Sequence, residues 1–101
     1  MASVLRCFPV YQPRSYHIPV GYSTLGYAFP AALGAKVAAP GRKVVAVCGD
    51  GGFQFCLQEM ATAVQFGIDV VVLVLNDNCW SAIRDHQDSS YGGRHYMVDL
   101  L

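Results

Sequence analysis

Val44-Val45-Ala46-Val47-Cys48-Gly49-Asp50-Gly51-Gly52, and further on Val70-Val71-Val72-Leu73-Val74-Leu75-Asn76-Asp77, are the two stretches that decide the fold of this 101-residue chain. Each is a short, continuous, largely β-branched run that stops on polar residues, as strands buried on both faces of a parallel sheet do. The residues between them predict a helix over 53–66. Phe53, Leu57, Met60 and Val64 recur at 3–4 spacing with Ala61 and Ala63 beside them, while Gln58, Thr62 and Gln65 face outward. Gly67 follows as a C-cap, because glycine takes the left-handed conformation without a Cβ penalty. Strand, glycine loop, helix and strand within roughly thirty residues make a right-handed βαβ unit. The expected class is therefore α/β, a partial parallel sheet with flanking helices.

Upstream, residues 24–39 are rich in small and apolar side chains at helical spacing, among them Leu25, Ala28, Phe29, Ala32, Leu33 and Ala35. Pro30 fits only near a helix start, which puts the first regular turn at Phe29 or Pro30. Pro40-Gly41 ends that helix and turns the chain into the first strand. Residues 1–22 carry Pro9, Pro13 and Pro19 with several tyrosines and no periodicity, and read as an irregular lead-in to a domain over 23–101. Beyond Asp77 a shorter helix is expected over 81–87, broken by Ser89-Ser90-Tyr91-Gly92-Gly93. The last residues, Met97 to Leu101, are mostly apolar and uncapped.

Hydrophobic residues form 53% of the chain and charged residues 14%, too apolar a balance for a small free-standing surface, so some apolar surface should meet other protein. Seven basic and seven acidic residues cancel, and no basic stripe exists to bind nucleic acid or an anionic membrane. The longest apolar run is far too short to span a bilayer. Residues 1–20 lack the basic and apolar regions of a secretory signal. Cys7, Cys48, Cys56 and Cys79 form no CxxC, and Cys48 falls inside a strand, which favours reduced thiols in a cytoplasmic setting over a disulfide scaffold.

Ligands of open parallel sheets bind beyond the carboxyl ends of the strands, where this chain places Asp50 and the Asn76-Asp77 pair. Gly49 and Gly51 let the backbone turn sharply around Asp50. Gly51 and Gly52 then open the helix, whose unpaired N–H groups favour phosphate oxygens. A diphosphate there calls for a hard divalent cation such as Mg²⁺, with Asp50 and Asp77 each giving an oxygen from adjacent strand ends. A backbone carbonyl beyond Asp77 can add a third. Glycine–aspartate–glycine alone fills ordinary turns; the polar pair twenty-seven positions after Asp50 turns the balance toward a site.

These residues carry a resemblance. GDG, about twenty-five residues, then Asn-Asn at the end of an apolar strand is the signature of thiamine diphosphate enzymes, and this chain reads GDGGFQFCLQEMATAVQFGIDVVVLVLND. Ser23-Thr24-Leu25-Gly26 and Phe29-Pro30-Ala31-Ala32-Leu33-Gly34-Ala35 look like the corresponding segment of the acetolactate synthase and benzoylformate decarboxylase branch. The likeness covers roughly residues 20–88. It implies that Asp50 and Asp77 ligate Mg²⁺ through side chains and Cys79 through its carbonyl. It further implies that Gly51 and Gly52, following Gly49, contact the diphosphate, and that Leu25 wedges beneath the thiazolium. The backbone at Ser23 would meet the aminopyrimidine, and Asn76 would brace the loop. The second asparagine of the signature is Asp77 here, an equally hard ligand with one more negative charge.

In that family the glutamate that activates the cofactor lies in a separate pyrimidine-binding domain, usually on another subunit. Glu59 is the chain's only glutamate and falls on a structural helix position. The resemblance thus implies half of a cofactor site, in an enzyme whose substrate is a 2-oxo acid, incomplete without a pyrimidine-binding domain or homologous subunit. A non-catalytic fragment that associates with a partner through apolar surfaces stands beside that reading. A generic nucleotide-binding domain is weaker, since no Walker lysine and no GxGxxG is present. His17, His86 and His95 show no ligand spacing; His86 alone follows the metal loop closely enough to face substrate. Trp80 reads as packing, Arg84 with Asp85 as a solvated pair, and Cys79 as important for its carbonyl, not its thiol.

Overall fold

The structure, a computed structural model, describes residues 6–100. Residues 1–5 of the lead-in and the terminal Leu101 lie outside the described residues. Residues 8–22 carry no regular helix or strand, and most are exposed. The regular elements then follow as α1 (Ala28–Ala38), β1 (Val45–Gly49), α2 (Asp50–Gln54), α3 (Glu59–Gln65), β2 (Val71–Leu75) and α4 (Ser81–Tyr91). Pro30 is the third residue of α1, where its missing N–H would have had no intrahelical partner anyway.

β1 and β2 pair in parallel, Val45 opposite Val71 through Gly49 opposite Leu75. Ala46, Cys48 and Val72 share one face. Phe29, Leu33 and Cys56 form the core there, with Phe53, Ala63, Ile68 and Val70 packed around them. The Phe29 and Phe53 rings meet edge to face at 5.7 Å, a favoured aromatic geometry.

The single helix expected over 53–66 is interrupted. Residues 55–58 are turns in which Cys56 N–H reaches the Phe53 carbonyl and Glu59 N–H the Cys56 carbonyl, each at 3.0 Å. Three-residue spacing eclipses positions i and i+3, so Phe53 and Cys56 enter the same core more nearly in line than the i, i+3 neighbours of an α-helix. Tertiary packing overrides the local pattern here. Gly67 behaves as expected: at φ +60° it completes a Schellman cap, with Ile68 N–H on the Ala63 carbonyl and Gly67 N–H on that of Val64. α4 runs to Tyr91, past the expected end at 87, because Ser89 and Ser90 turn their hydroxyls back onto His86 and stay within the helix.

Burial on both faces does not hold among the described residues. Val45, Val71, Leu73 and Leu75, on the face opposite the core, are 50–55% exposed. Leu57, Met60 and Val64, read from sequence as an inward stripe, are exposed as well, since no described element lies over them. The surface of 7697 Å² exceeds the roughly 5,600 Å² expected for a compact monomer of this mass. No described helix is long and apolar enough to cross a membrane. All four cysteines are free, Cys7 exposed and the others buried. Burial pushes the Cys48 and Cys56 thiols above their ordinary pKa, so both are protonated at neutral pH.

Candidate functional site at the strand ends

β1 ends on Gly49, and the chain enters α2 directly at Asp50. The Asp50 carboxylate accepts the Gly51 N–H at 2.9 Å with one oxygen and the Asn78 N–H at 2.8 Å with the other. One side chain thereby ties the end of β1 to the loop after β2. Asn76 accepts the same Asn78 N–H at 3.3 Å. Asn78 sits at φ +57°, a left-handed conformation asparagine tolerates better than most residues.

Asp77 is exposed and turns toward the start of α4, where one oxygen takes the Ser81 hydroxyl and the other the Cys79 N–H at 3.3 Å. The Ser81 hydroxyl holds its carboxyl below the usual carboxylate range, and the Cys79 N–H adds to this. It is therefore ionised at neutral pH, as a cation ligand must be. Whatever stability this contributes is present above the ordinary carboxylate pKa and is lost as the pH falls through the depressed one.

A cleft of about 460 Å³ opens beside Asp50, lined also by Phe53, Gln54, Asn76, Asn78 and Leu100. The structure thus brings Asp50 and Asn76 to one cavity, with Asp77 and Cys79 on the loop behind it. Gln54, which the sequence places on the polar face of its helix, lines the cleft as well, one turn after Asp50. No sequence signal placed Leu100 there.

Gly51 is buried under the indole of Trp80, which confirms Trp80 as packing; a Cβ on Gly51 would fall 2.5 Å from the ring. Its N–H is taken by Asp50, so of the two glycines expected at a diphosphate, Gly52 has the N–H with no acceptor among the described residues. Leu25 lies half-exposed within van der Waals reach of Gly52, its Cδ2 4.0 Å from where a Cβ there would sit. Ser23 is exposed at φ +52°, an unusual conformation for serine held by its N–H on the Pro19 carbonyl.

Gly26, at φ +80°, carries Leu25 onto this turn, and a Cβ on it would meet the Phe55 Cβ at 2.9 Å. Gly26→Ala combines left-handed strain with overpacking and is expected to destabilise the fold by about 2–3 kcal/mol. A lowered urea midpoint at unchanged slope checks this; an unchanged midpoint contradicts it.

Among the described residues no cluster of three His, Cys, Asp or Glu side chains could hold a metal. A cation here would have to draw on carboxylates and main-chain oxygen, a hard donor set of the kind that suits Mg²⁺ together with phosphate and water. The Cys79 carbonyl accepts no hydrogen bond from the described residues, and an unengaged main-chain oxygen on the loop that carries Asp77 fits that donor set. The Arg84 side chain, expected to pair with Asp85, instead meets Asp99 at 2.7 Å, because α4 turns it toward the returning chain.

Residues 1–100 match the family described as thiamine pyrophosphate enzyme, C-terminal TPP binding domain. Over 96 residues the chain is 44% identical to the acetolactate synthase large subunit of Haemophilus influenzae and 41% identical to the acetolactate synthase isozyme 3 large subunit of Escherichia coli. In each case the alignment takes in 92% of this chain and 17% of the relative. Among solved structures, the thiamine diphosphate-dependent 4-hydroxybenzoylformate decarboxylase of Rhodococcus jostii superposes with a TM-score of 0.71. It is 33% identical, over 75% of this chain and 14% of that one. The chain spans about a sixth of the length of the curated relatives it matches, 17% in both cases.

Proposed function

The chain belongs to the thiamine pyrophosphate enzymes, in their C-terminal TPP binding domain, and from that membership we propose that it forms the diphosphate and Mg²⁺ side of a cofactor site acting on 2-oxo acids. The observation that carries the reading is Asp50, which bonds the main chain beyond both strands while lining the cleft. In this reading Asp50, Asp77 and the Cys79 carbonyl hold Mg²⁺, and Gly52 turns its N–H to the diphosphate. Leu25 packs against the thiazolium, and the main chain at Ser23 meets the aminopyrimidine. When bound, the cofactor gives the thiazolium carbanion and the electron sink that 2-oxo acid chemistry requires. Carboligation of the acetolactate synthase type is favoured over simple decarboxylation, because relatives of that name align over 92% of the chain.

Glu59 accepts the Thr62 hydroxyl at 2.8 Å on α3 and does not line the cleft. The activating base must then come from a pyrimidine-binding domain or homologous subunit, and the chain is not active alone. Its free thiols accord with a cytoplasmic setting. A second reading, association with a partner through apolar surface, is favoured by the bare sheet face of Val45, Val71, Leu73 and Leu75. Calorimetric titration of thiamine diphosphate into the chain separates the two. Binding with Mg²⁺ that vanishes in EDTA supports the cofactor reading. A folded chain that binds no cofactor but associates saturably with a pyrimidine-domain chain supports the second.

A further inference from the structure

Three residues on one face of α4, at positions i, i+3 and i+4, grip the chain as it returns. Arg84 reaches Asp99 at 2.7 Å, and Asp88 meets His95 at 2.7 Å. Gln87 pairs in both directions with the main chain of Tyr96, accepting its N–H at 2.9 Å and donating to its carbonyl at 3.2 Å. So held, the chain runs back along the helix to the loop after β2. There Trp80 N–H bonds the Val98 carbonyl and Leu100 N–H the Asn78 carbonyl, both at 2.7 Å. Val98 is 1% exposed, among the most buried residues described, and Leu100 walls the cleft.

These two bonds flank an antiparallel bridge between Cys79 and Asp99. In such a pair the residues between the bonds point their own N–H and C=O away from the partner strand. Cys79 accordingly turns its N–H to Asp77 and leaves its carbonyl outside the strap. We propose that residues 95–100 are a positioning strap for the cation site, an inference resting on the cation reading above. Gripped by Arg84, Gln87 and Asp88, the strap fixes the main-chain direction of Cys79 and so the oxygen offered to the metal. Arg84 and Gln87 are positioning residues, acting through the strap. The salt bridge is half-exposed and worth little to stability by itself, so its loss need not unfold the protein.

The test uses the full chain and its Gln87→Ala, Arg84→Ala and Arg84→Lys variants. Hydrogen exchange at the Trp80 and Leu100 amides is followed without ligand. Mn²⁺ affinity is measured by electron paramagnetic resonance with thiamine diphosphate present. Both alanine variants are expected to exchange faster at these two amides and to bind Mn²⁺ about tenfold more weakly, while Arg84→Lys recovers part of the loss. Faster exchange with unchanged Mn²⁺ affinity overturns the positioning role and leaves the cation site standing. Unchanged exchange at both amides overturns the strap itself. If the unsubstituted chain binds no Mn²⁺, the cation reading fails first and the strap's role with it, whatever the exchange data show.

Discussion

Asp50→Ala is expected to abolish Mg²⁺-dependent binding of thiamine diphosphate, with affinity falling by more than about 100-fold, since loss of the direct ligand proposed above exceeds the 10–100-fold typical of outer partners. The same change removes an acceptor from two backbone N–H groups, those of Gly51 and Asn78. Hydrogen bonds to a charged group contribute roughly 1.5–3 kcal/mol each, and partial rescue by water should hold the net loss to about 2–3 kcal/mol. Binding and stability must therefore be separated. Asp50→Asn keeps one oxygen acceptor but presents an amide to the other N–H. It is expected to lie between the wild type and alanine in urea stability, yet to bind cofactor as poorly as alanine, because the carboxylate charge is gone. Titration calorimetry at a urea-free temperature well below the melting point reads the first effect, and equilibrium unfolding the second. Cofactor binding that survives in Asp50→Ala would remove Asp50 from the metal site and return it to a purely structural tie between strand ends.

What was legible in the sequence is what local chemistry fixes. The two β-branched runs stop on Gly49 and Asn76 because the chain must turn there, and the structure pairs them in parallel in the expected order. Gly67 announced its cap, and Pro40-Gly41 the end of α1, through backbone conformations few other residues adopt. The break at 55–58 was illegible because Leu57, Met60 and Val64 satisfy a helical period while Phe53 and Cys56 answer to a core the period does not describe. The pattern of the strands is apolar on both faces, but the described residues cover one; periodicity records what a face is suited to meet, not what meets it. Leu100 reaches the cleft through pairing with Asn78, and Asp99 meets Arg84 beside it in the chain, contacts set by the path of the chain after α4. No spacing encodes that path. Of the residues that line the cleft, Asp50 and Asn76 follow the strand ends and could be expected from sequence, whereas Leu100 arrives with the returning chain.

Of the glycines, Gly51 leaves the least room for a side chain, against the Trp80 ring, and Gly51→Ala is expected to produce a large loss of stability. The added Cβ would stand 2.5 Å from Cζ3 and 2.8 Å from both Cε3 and Cη2, well inside any real contact, against a rigid ring. Trp80 cannot swing away freely. Its N–H is bonded to Val98, its ring lies edge to face against Phe55 at 6.0 Å, and its carbonyl accepts from Ile83 and Arg84 at the start of α4. Relief must come from shifting the loop that carries Asp77 and Cys79, so overpacking of about 2–3 kcal/mol should appear together with weakened Mg²⁺-dependent cofactor binding. Shrinking the ring tests whether this contact is the cause. Trp80→Leu alone loses packing against Phe55, and Gly51→Ala alone loses the fit beneath the indole. In the double variant the methyl occupies space the ring has left, and the coupling energy should recover at least about 1 kcal/mol of the summed losses. Additive losses in urea unfolding would show that alanine disturbs the Asp50 turn by its backbone instead. The requirement for glycine at this position would then belong to the entry into α2 and not to the indole above it.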